Sequence, residues 1–250
     1  MDNRRNELIS EYHTLFETNH TIKDWEVDIK LKAGAQIVQE KARPIPVHLQ
    51  DAVGNELKKL IKSGHVEKAD DINTNQFISP ALDSRKLNDA CIKKQAQMPN
   101  MEELISKVST TIAKDRNKPL WITKIDLDYA YGQVSLSENA KKHCNFAMVG
   151  GEFTGNYRFL KGFYGLADMP PAFQQHIDKT LKHEIPAWLD DIIIVTRGTT
   201  DEHQCTVEKT MKRLEDNGYR TSKKKTAFFS ERNRTVGPYN QRELYKTDTR

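Results

Sequence analysis

A chain of 250 residues with 37% hydrophobic side chains can bury a core, which excludes disorder as the default state. Thirty-nine Lys and Arg against 35 Asp and Glu leave a formal charge of only +4, so overall charge does not by itself demand a nucleic-acid partner. No apolar run reaches the ~20 residues of a membrane span, and the polar stretch behind Met1 is unlike a secretory signal. Cys91, Cys144 and Cys205 cannot all pair in one disulfide framework. The expectation is an intracellular, soluble protein.

Leu8, Tyr12, Leu15 and Phe16 recur at helical spacing, as do Val53, Leu57, Leu60 and Ile61 before Ser63-Gly64 ends the run. Asn100 with Glu103 has the pattern of a helix N-cap, and Met101, Leu104, Ile105, Val108 and Ile112 form one apolar stripe behind it. From Trp121 the period changes. Ile125 and Leu127 alternate with Lys124, Asp126 and Asp128, which predicts a strand with one apolar face and one carboxylate-bearing face.

Cys144 to Val149 and Tyr157 to Phe163 read as strands joined through Gly150-Gly151, and Pro170 to Leu181 as a helix opened by proline. Ala187-Trp188-Leu189 and Ile192 to Val195 are short apolar runs split by Asp190-Asp191, a hairpin with acids at its turn. Thr200-Asp201 caps a helix striped by Val207, Met211 and Leu214, closed by Asn217-Gly218, and Tyr219 to Phe229 reads as a last strand. This order predicts an α+β fold, an antiparallel sheet backed by helices behind an N-terminal helical lobe.

Charge is concentrated near the end. Between Arg220 and Arg234 six basic residues face one acid, Glu231, a block that suits phosphate contacts and equally a solvated surface.

An Asp-Asp turn alone is weak evidence and more readily structural than functional, since aspartates favour turns for their own backbone bonding. Here Asp190-Asp191 sit between apolar strands, and Asp126 lies on the polar face of another. Three carboxylates converging at one end of a sheet would repel each other unless cations lay between them. Hard oxygen ligands in an open site suit Mg²⁺, and two such ions about 4 Å apart activate a hydroxyl and stabilise a leaving pyrophosphate.

Three segments then carry a resemblance: KIDLDYAYGQ (Lys124 to Gln133), KGFYGLADMPPAFQQHID (Lys161 to Asp178) and WLDDIIIV (Trp188 to Val195) are similar to reverse-transcriptase motifs and stand in that family's order. ARPIPVHL, FISP and ALDSRKLNDA (within residues 42–90) resemble the fingers of gypsy-type long-terminal-repeat retrotransposon polymerases. The resemblance implies a reverse-transcriptase-like palm with a reduced fingers subdomain. It divides the chain into an N-terminal segment (1–41), fingers (42–119), palm (120–229) and a divergent polar tail (230–250).

It further implies an RNA-directed DNA polymerase domain using two Mg²⁺ ions, for which Mn²⁺ can substitute, with Asp126, Asp190 and Asp191 as metal ligands. Leu127 would help hold the metal ion of the triphosphate through its carbonyl, and Tyr131 would exclude a ribose 2′-hydroxyl. Tyr164, Gly165, Leu166, Pro170, Phe173 and Gln174 would pack beneath the incoming nucleotide and template base, and Lys225 would protonate the pyrophosphate. Arg85, Trp188 and Leu189 would meet template or primer. The implied partners are an RNA or DNA template with primer, deoxynucleoside triphosphates and other parts of a Pol polyprotein.

Two departures stand out. Pro80 joins Ala81 directly, where the family has a hairpin whose lysine and arginine grip the nucleotide's outer phosphates. After Phe229 the sequence is polar and reads as having no strand, with no thumb or ribonuclease H. A catalytically silent nucleic-acid-binding remnant, decayed or domesticated, is therefore the alternative reading, and a two-metal nuclease or phosphatase on another fold is a third.

Overall fold

A computed structural model describes residues 2–17, 21–80, 83–93, 98 and 100–232. Ala81, Leu82 and the tail beyond residue 232, with Arg234, lie outside the described residues.

Two sheets organise the chain. The first, in the order β10-β4-β9-β8, is wholly antiparallel and is built from β4 (Leu120–Asp126), β8 (Ala187–Trp188), β9 (Asp191–Arg197) and β10 (Ala227–Arg232). β4 and β9 pair from Leu120↔Arg197 to Asp126↔Asp191, a register that brings Asp126 level with the acidic hairpin. Helices α4 (Met101–Ala113) and α7 (Thr200–Asp216) cover opposite faces of this sheet, α7 through His203 against Thr123 and Thr196 and α4 against Ile193 and Val195, and α6 (Met169–Thr180) packs beside β8.

The second sheet, ordered β2-β7-β6-β3, combines β2 (Val66–Lys68), β3 (Ile78–Pro80), β6 (Asn145–Met148) and β7 (Gly155–Phe159), with β3 parallel to β6. Its flank carries α2 (Val47–Lys62), whose apolar face buries Leu57. A small parallel pair joins β1 (Glu26–Val27) to β5 (Ser135–Leu136). One hydrophobic core runs through all of it, from Leu8 and Leu15 to Met211 and Leu214.

The α+β layers agree with the sequence, and several local expectations need correction. The first helix is two pieces, α1 (Asp2–Glu11) and a 3₁₀ turn over His13–Phe16. Cys144 and Val149 fall outside β6, and β7 begins at Gly155 and ends at Phe159, because the chain needs a 3₁₀ turn at Gly151–Phe153 to reverse. Asn100 does cap α4, accepting the Glu102 N–H.

The cap of α7 is Thr199, one residue earlier than expected. Gly198 at φ 146° turns the chain so that Thr199 and Glu202 close a reciprocal capping box. The last strand occupies Ala227–Arg232 rather than Tyr219 to Phe229. Ser222 accepts the Thr226 N–H across a lysine turn, and Phe229 at φ 52° makes a bulge. Residues just after Phe229, expected without a strand, therefore complete the sheet edge against Leu120 to Ile122.

β4 also departs from simple alternation. Asp126 is only 5% exposed, and the strand ends there, so Asp128 stands outside it. Among the described residues no helix is long and apolar enough to cross a membrane.

Candidate active site at the palm

Asp126 closes β4 at the point where the β8–β9 hairpin turns. Leu127 donates its N–H to the Asp190 carbonyl at 2.7 Å, and Ser222 donates to the Asp126 carbonyl at 2.8 Å, so backbone from three segments fixes this strand end. Lys225 Nζ lies 3.4 Å from Asp126 Oδ1 as an ion pair, yet that buried oxygen accepts no hydrogen bond. A buried carboxylate oxygen without a donor is costly unless a cation satisfies it. This orphaned atom fits a metal ligand.

Burial raises the carboxyl pKa of Asp126 above the ordinary range, partly offset by Lys225, and burial likewise raises that of Asp190. The neighbouring aspartates add to both shifts. Conversely, Asp126 holds the Lys225 ammonium above its usual pKa. Asp191 is paired by Lys124 Nζ at 2.9 Å.

Among the described residues no three acids, imidazoles or thiols form a ready-made metal cage. An open pair of carboxylates suits Mg²⁺, which keeps waters and shares substrate oxygens.

The turn is strained and braced. Leu189 adopts φ 54°, a region a branched side chain rarely enters. Its N–H is held by Gln174 Oε1 at 2.7 Å, while Gln174 Nε2 donates to the Ala187 carbonyl at 2.9 Å and to Asp178 Oδ1 at 3.0 Å. Gln174 is fully buried on α6, so its amide clamps both sides of the turn that presents Asp190. The sequence reading quoted Gln174 in a motif without this role; a polar residue on the apolar stripe of α6 was the available signal.

Tyr131 is 7% exposed, with its ring 4.8 Å from Tyr164 and edge-on to Phe173 at 5.8 Å. Tyr164 is 58% exposed on the same wall, and Asp190 contributes to the upward shift of its phenol behind the larger effect of burial. Gly165 takes φ 110°, which only glycine adopts readily. Asn88, on α3 (Arg85–Ala90), pins that loop by donating to the Gly165 carbonyl at 2.7 Å and accepting the Ala167 N–H at 2.9 Å. This bracing also went unread in the sequence.

Trp188 sits on β8 opposite Asp191, next to Leu189. Arg85 is not brought to these residues. It forms a two-pronged pair with Asp83, at 2.8 and 2.6 Å, and Arg43 approaches the same carboxylate at 3.7 Å. The contacts of Lys124 with Asp191 and of Gln174 with the Asp190 turn are the features of the site that sequence alone does not show.

A buried aspartate at a strand end, level with a strained Asp-Asp hairpin on an antiparallel sheet backed by helices, defines a polymerase palm. Residues 66–243 match the family model described as reverse transcriptase (RNA-dependent DNA polymerase). The chain belongs to the reverse transcriptase family.

Among curated relatives, the retrovirus-related Pol polyprotein of the Drosophila melanogaster transposon gypsy is 28% identical over 78% of this chain and 19% of that polyprotein. The enzymatic polyprotein of soybean chlorotic mottle virus is 26% identical over 88% of the chain and 32% of its own length. The chain thus spans less than a third of either. The fold is similar to the foamy viral protease-reverse transcriptase in complex with an RNA/DNA hybrid, with a TM-score of 0.72 and 19% identity over 90% of this chain and 31% of that one.

Proposed function

We propose that the chain catalyses template-directed addition of deoxynucleotides to a primer, copying RNA, with Asp126 and Asp190 holding two Mg²⁺ ions and Asp191 assisting. The observation that carries this reading is the buried Asp126 Oδ1, which accepts no hydrogen bond beside the braced Asp190 turn. When bound, the ions polarise the phosphoryl group, activate the primer hydroxyl and neutralise the pyrophosphate; Mn²⁺ can substitute.

The protein's own residues position and select. Gln174 keeps Asp190 at the turn, and the Leu127 carbonyl would help hold the metal ion that the triphosphate brings. Tyr131 excludes a 2′-hydroxyl by contact, and Tyr164 with Gly165 supports the base. Lys225, 67% exposed on its side chain and held protonated by Asp126, delivers a proton to the departing pyrophosphate. Trp188 and Leu189 meet the primer end, while Arg85 meets template once it leaves Asp83. The partner is a primed template, as the foamy viral relatives in complex with RNA/DNA hybrid and double-stranded DNA support. The chain acts inside the cell, which suits three free cysteines, alongside other parts of a Pol polyprotein.

A second reading is favoured by one observation. β3 ends at Pro80 and Asp83 already leads into α3, a gap too short for the family's fingers hairpin. Loss of that phosphate grip favours a nucleic-acid-binding remnant that no longer polymerises. Primer extension on an RNA template with Mg²⁺ or Mn²⁺ separates the two. Incorporation that disappears in Asp190→Asn supports the polymerase, whereas salt-sensitive nucleic-acid binding without incorporation from folded protein supports the remnant.

A further inference from the structure

Behind Tyr129 lies a group of cations that the proposed chemistry does not use. Lys161 is half-buried where its backbone bridges Ser135, and among the described residues it has neither a carboxylate nor a hydrogen-bond partner. Gly162, next to it, donates its N–H to the Val134 carbonyl at 2.8 Å, and the adjoining Gln133 accepts the Arg220 N–H at 2.7 Å, so the Lys161 and Arg220 backbones flank the same segment; burial and then the Arg220 charge lower the Lys161 pKa.

Arg220 has a side chain 13% exposed. It pairs with Asp128 Oδ2 at 2.9 Å, and its buried Nε donates to nothing. His65, 8% exposed, adjoins them: its carbonyl accepts the Leu160 N–H at 2.9 Å, and its Nδ1 lies 2.7 Å from Ser63 Oγ. Asp128 pairs with Arg220 and leaves Lys161 without a counter-ion among the described residues. Two half-buried like charges and an orphaned donor are unfavourable unless an anion joins them.

Tyr129 links these cations to the wall of the proposed site. Its ring lies 5.3 Å from His65 and 6.3 Å from Tyr164. Tyr129 holds φ 48°, and its ring occupies the space over Gly132, where an added Cβ would come within 2.1 Å. Asp128, which anchors Arg220, follows Asp126 by two residues.

We propose that Lys161 and Arg220 form an anion seat for the polyphosphate tail of the nucleotide, a cationic contact within the palm where the fingers hairpin supplies none. The proposal rests on the polymerase reading for the identity of the ligand, and its chemistry is that of a phosphate chain. Lys161 supplies a point charge, and Arg220 adds the Nε donor that Asp128 leaves unused.

The test is binding of inorganic tripolyphosphate to the full chain, without divalent metal, read by calorimetry. Lys161→Met and Arg220→Gln should each weaken binding about tenfold or more, the size of one lost charge-assisted contact. Lys161→Arg should retain it within about threefold by the same measure. Lys161→Met should melt at or above the wild-type temperature, because it removes a half-buried charge without a counter-ion.

Unaltered tripolyphosphate binding in Lys161→Met, or no binding by the wild type, overturns the seat. So does a loss of binding that accompanies a lower melting temperature in both Lys161 variants, since Lys161 is then structural. A variant that loses duplex DNA binding and keeps tripolyphosphate binding assigns the cations to nucleic-acid backbone instead. Lys161-dependent tripolyphosphate binding with no incorporation leaves the seat standing and removes the polymerase; incorporation with binding indifferent to Lys161 does the reverse.

Discussion

Gln174→Leu is the sharpest probe of how the Asp190 turn is held. Leucine nearly matches glutamine in volume, so packing on α6 is kept while three hydrogen bonds at 2.7, 2.9 and 3.0 Å are lost. Two of the stranded groups, Leu189 N–H and Ala187 C=O, are backbone, and an unsatisfied buried group costs about 1–3 kcal/mol. Added apolar burial returns part of this, so a net loss of about 2–4 kcal/mol is expected. At about 2–4 °C per kcal/mol for a chain of this size, the melting temperature should drop by roughly 4–16 °C. Leu189, freed at φ 54°, should relax toward negative φ and carry Asp190 with it. Urea unfolding and Mn²⁺ titration by paramagnetic relaxation read the two effects separately. A stability change under about 0.5 kcal/mol, or unchanged Mn²⁺ binding in a destabilised variant, would refute the clamp.

On the proposed role of Tyr131, whose ring lies 4.8 Å from that of Tyr164, Tyr131→Val should admit ribonucleotides in primer extension; unchanged sugar selection in an active enzyme removes that role. Gly162→Ala would place a Cβ 2.5 Å from the Tyr131 carbonyl and from Met169 Cε, so a loss of about 1–3 kcal/mol is expected in urea unfolding, and a neutral result would show that this backbone can move. His203 is fully buried between Thr123 and Thr196, each at 2.8 Å, and burial lowers its pKa from 6.5 to about 4. The unfolded chain then takes up the proton first, so stability falls as pH drops from 6.5 toward 4, by up to about 1.4 kcal/mol per pH unit. His203→Gln should flatten that slope, as urea unfolding at several pH values would record.

How much of this was legible in the sequence depends on how local the cause is. α4, α6 and the β8–β9 hairpin follow from apolar spacing, caps and turn residues within a dozen positions, and their types agree with expectation. The last strand was misplaced because its start is decided by a turn at Ser222 and by pairing with Leu120 to Lys124, about a hundred residues earlier. The alternation in β4 predicted a polar face. What it could not predict was burial of Asp126 to 5%, which results from β10 and the Lys225 turn closing over it. Short elements such as α3 and α5 (Glu138–His143) carry too few residues for a period to register.

The carboxylates were legible as residue types in a familiar order, and the groups that brace them were not. Gln174, Asn88 and Lys124 act on the turn, the loop and the acid through contacts 13 to 79 residues away in the chain, and in each case a polar side chain satisfies someone else's backbone or charge. Such residues look like ordinary helix or strand positions until the partner is known. Their arrangement also decides which acid is free to bind a cation. Lys124 occupies Asp191, Lys225 stands at ion-pair distance from Asp126 without a hydrogen bond, and Gln174 bonds the backbone beside Asp190 while leaving its carboxylate open. On the proposed metal assignment the neighbouring lysines and amide rank the three acids, so Lys124→Met should tighten Mn²⁺ binding while Gln174→Leu weakens it. Opposite signs from two substitutions that leave every aspartate in place would tie metal affinity to that bracing rather than to the acids alone.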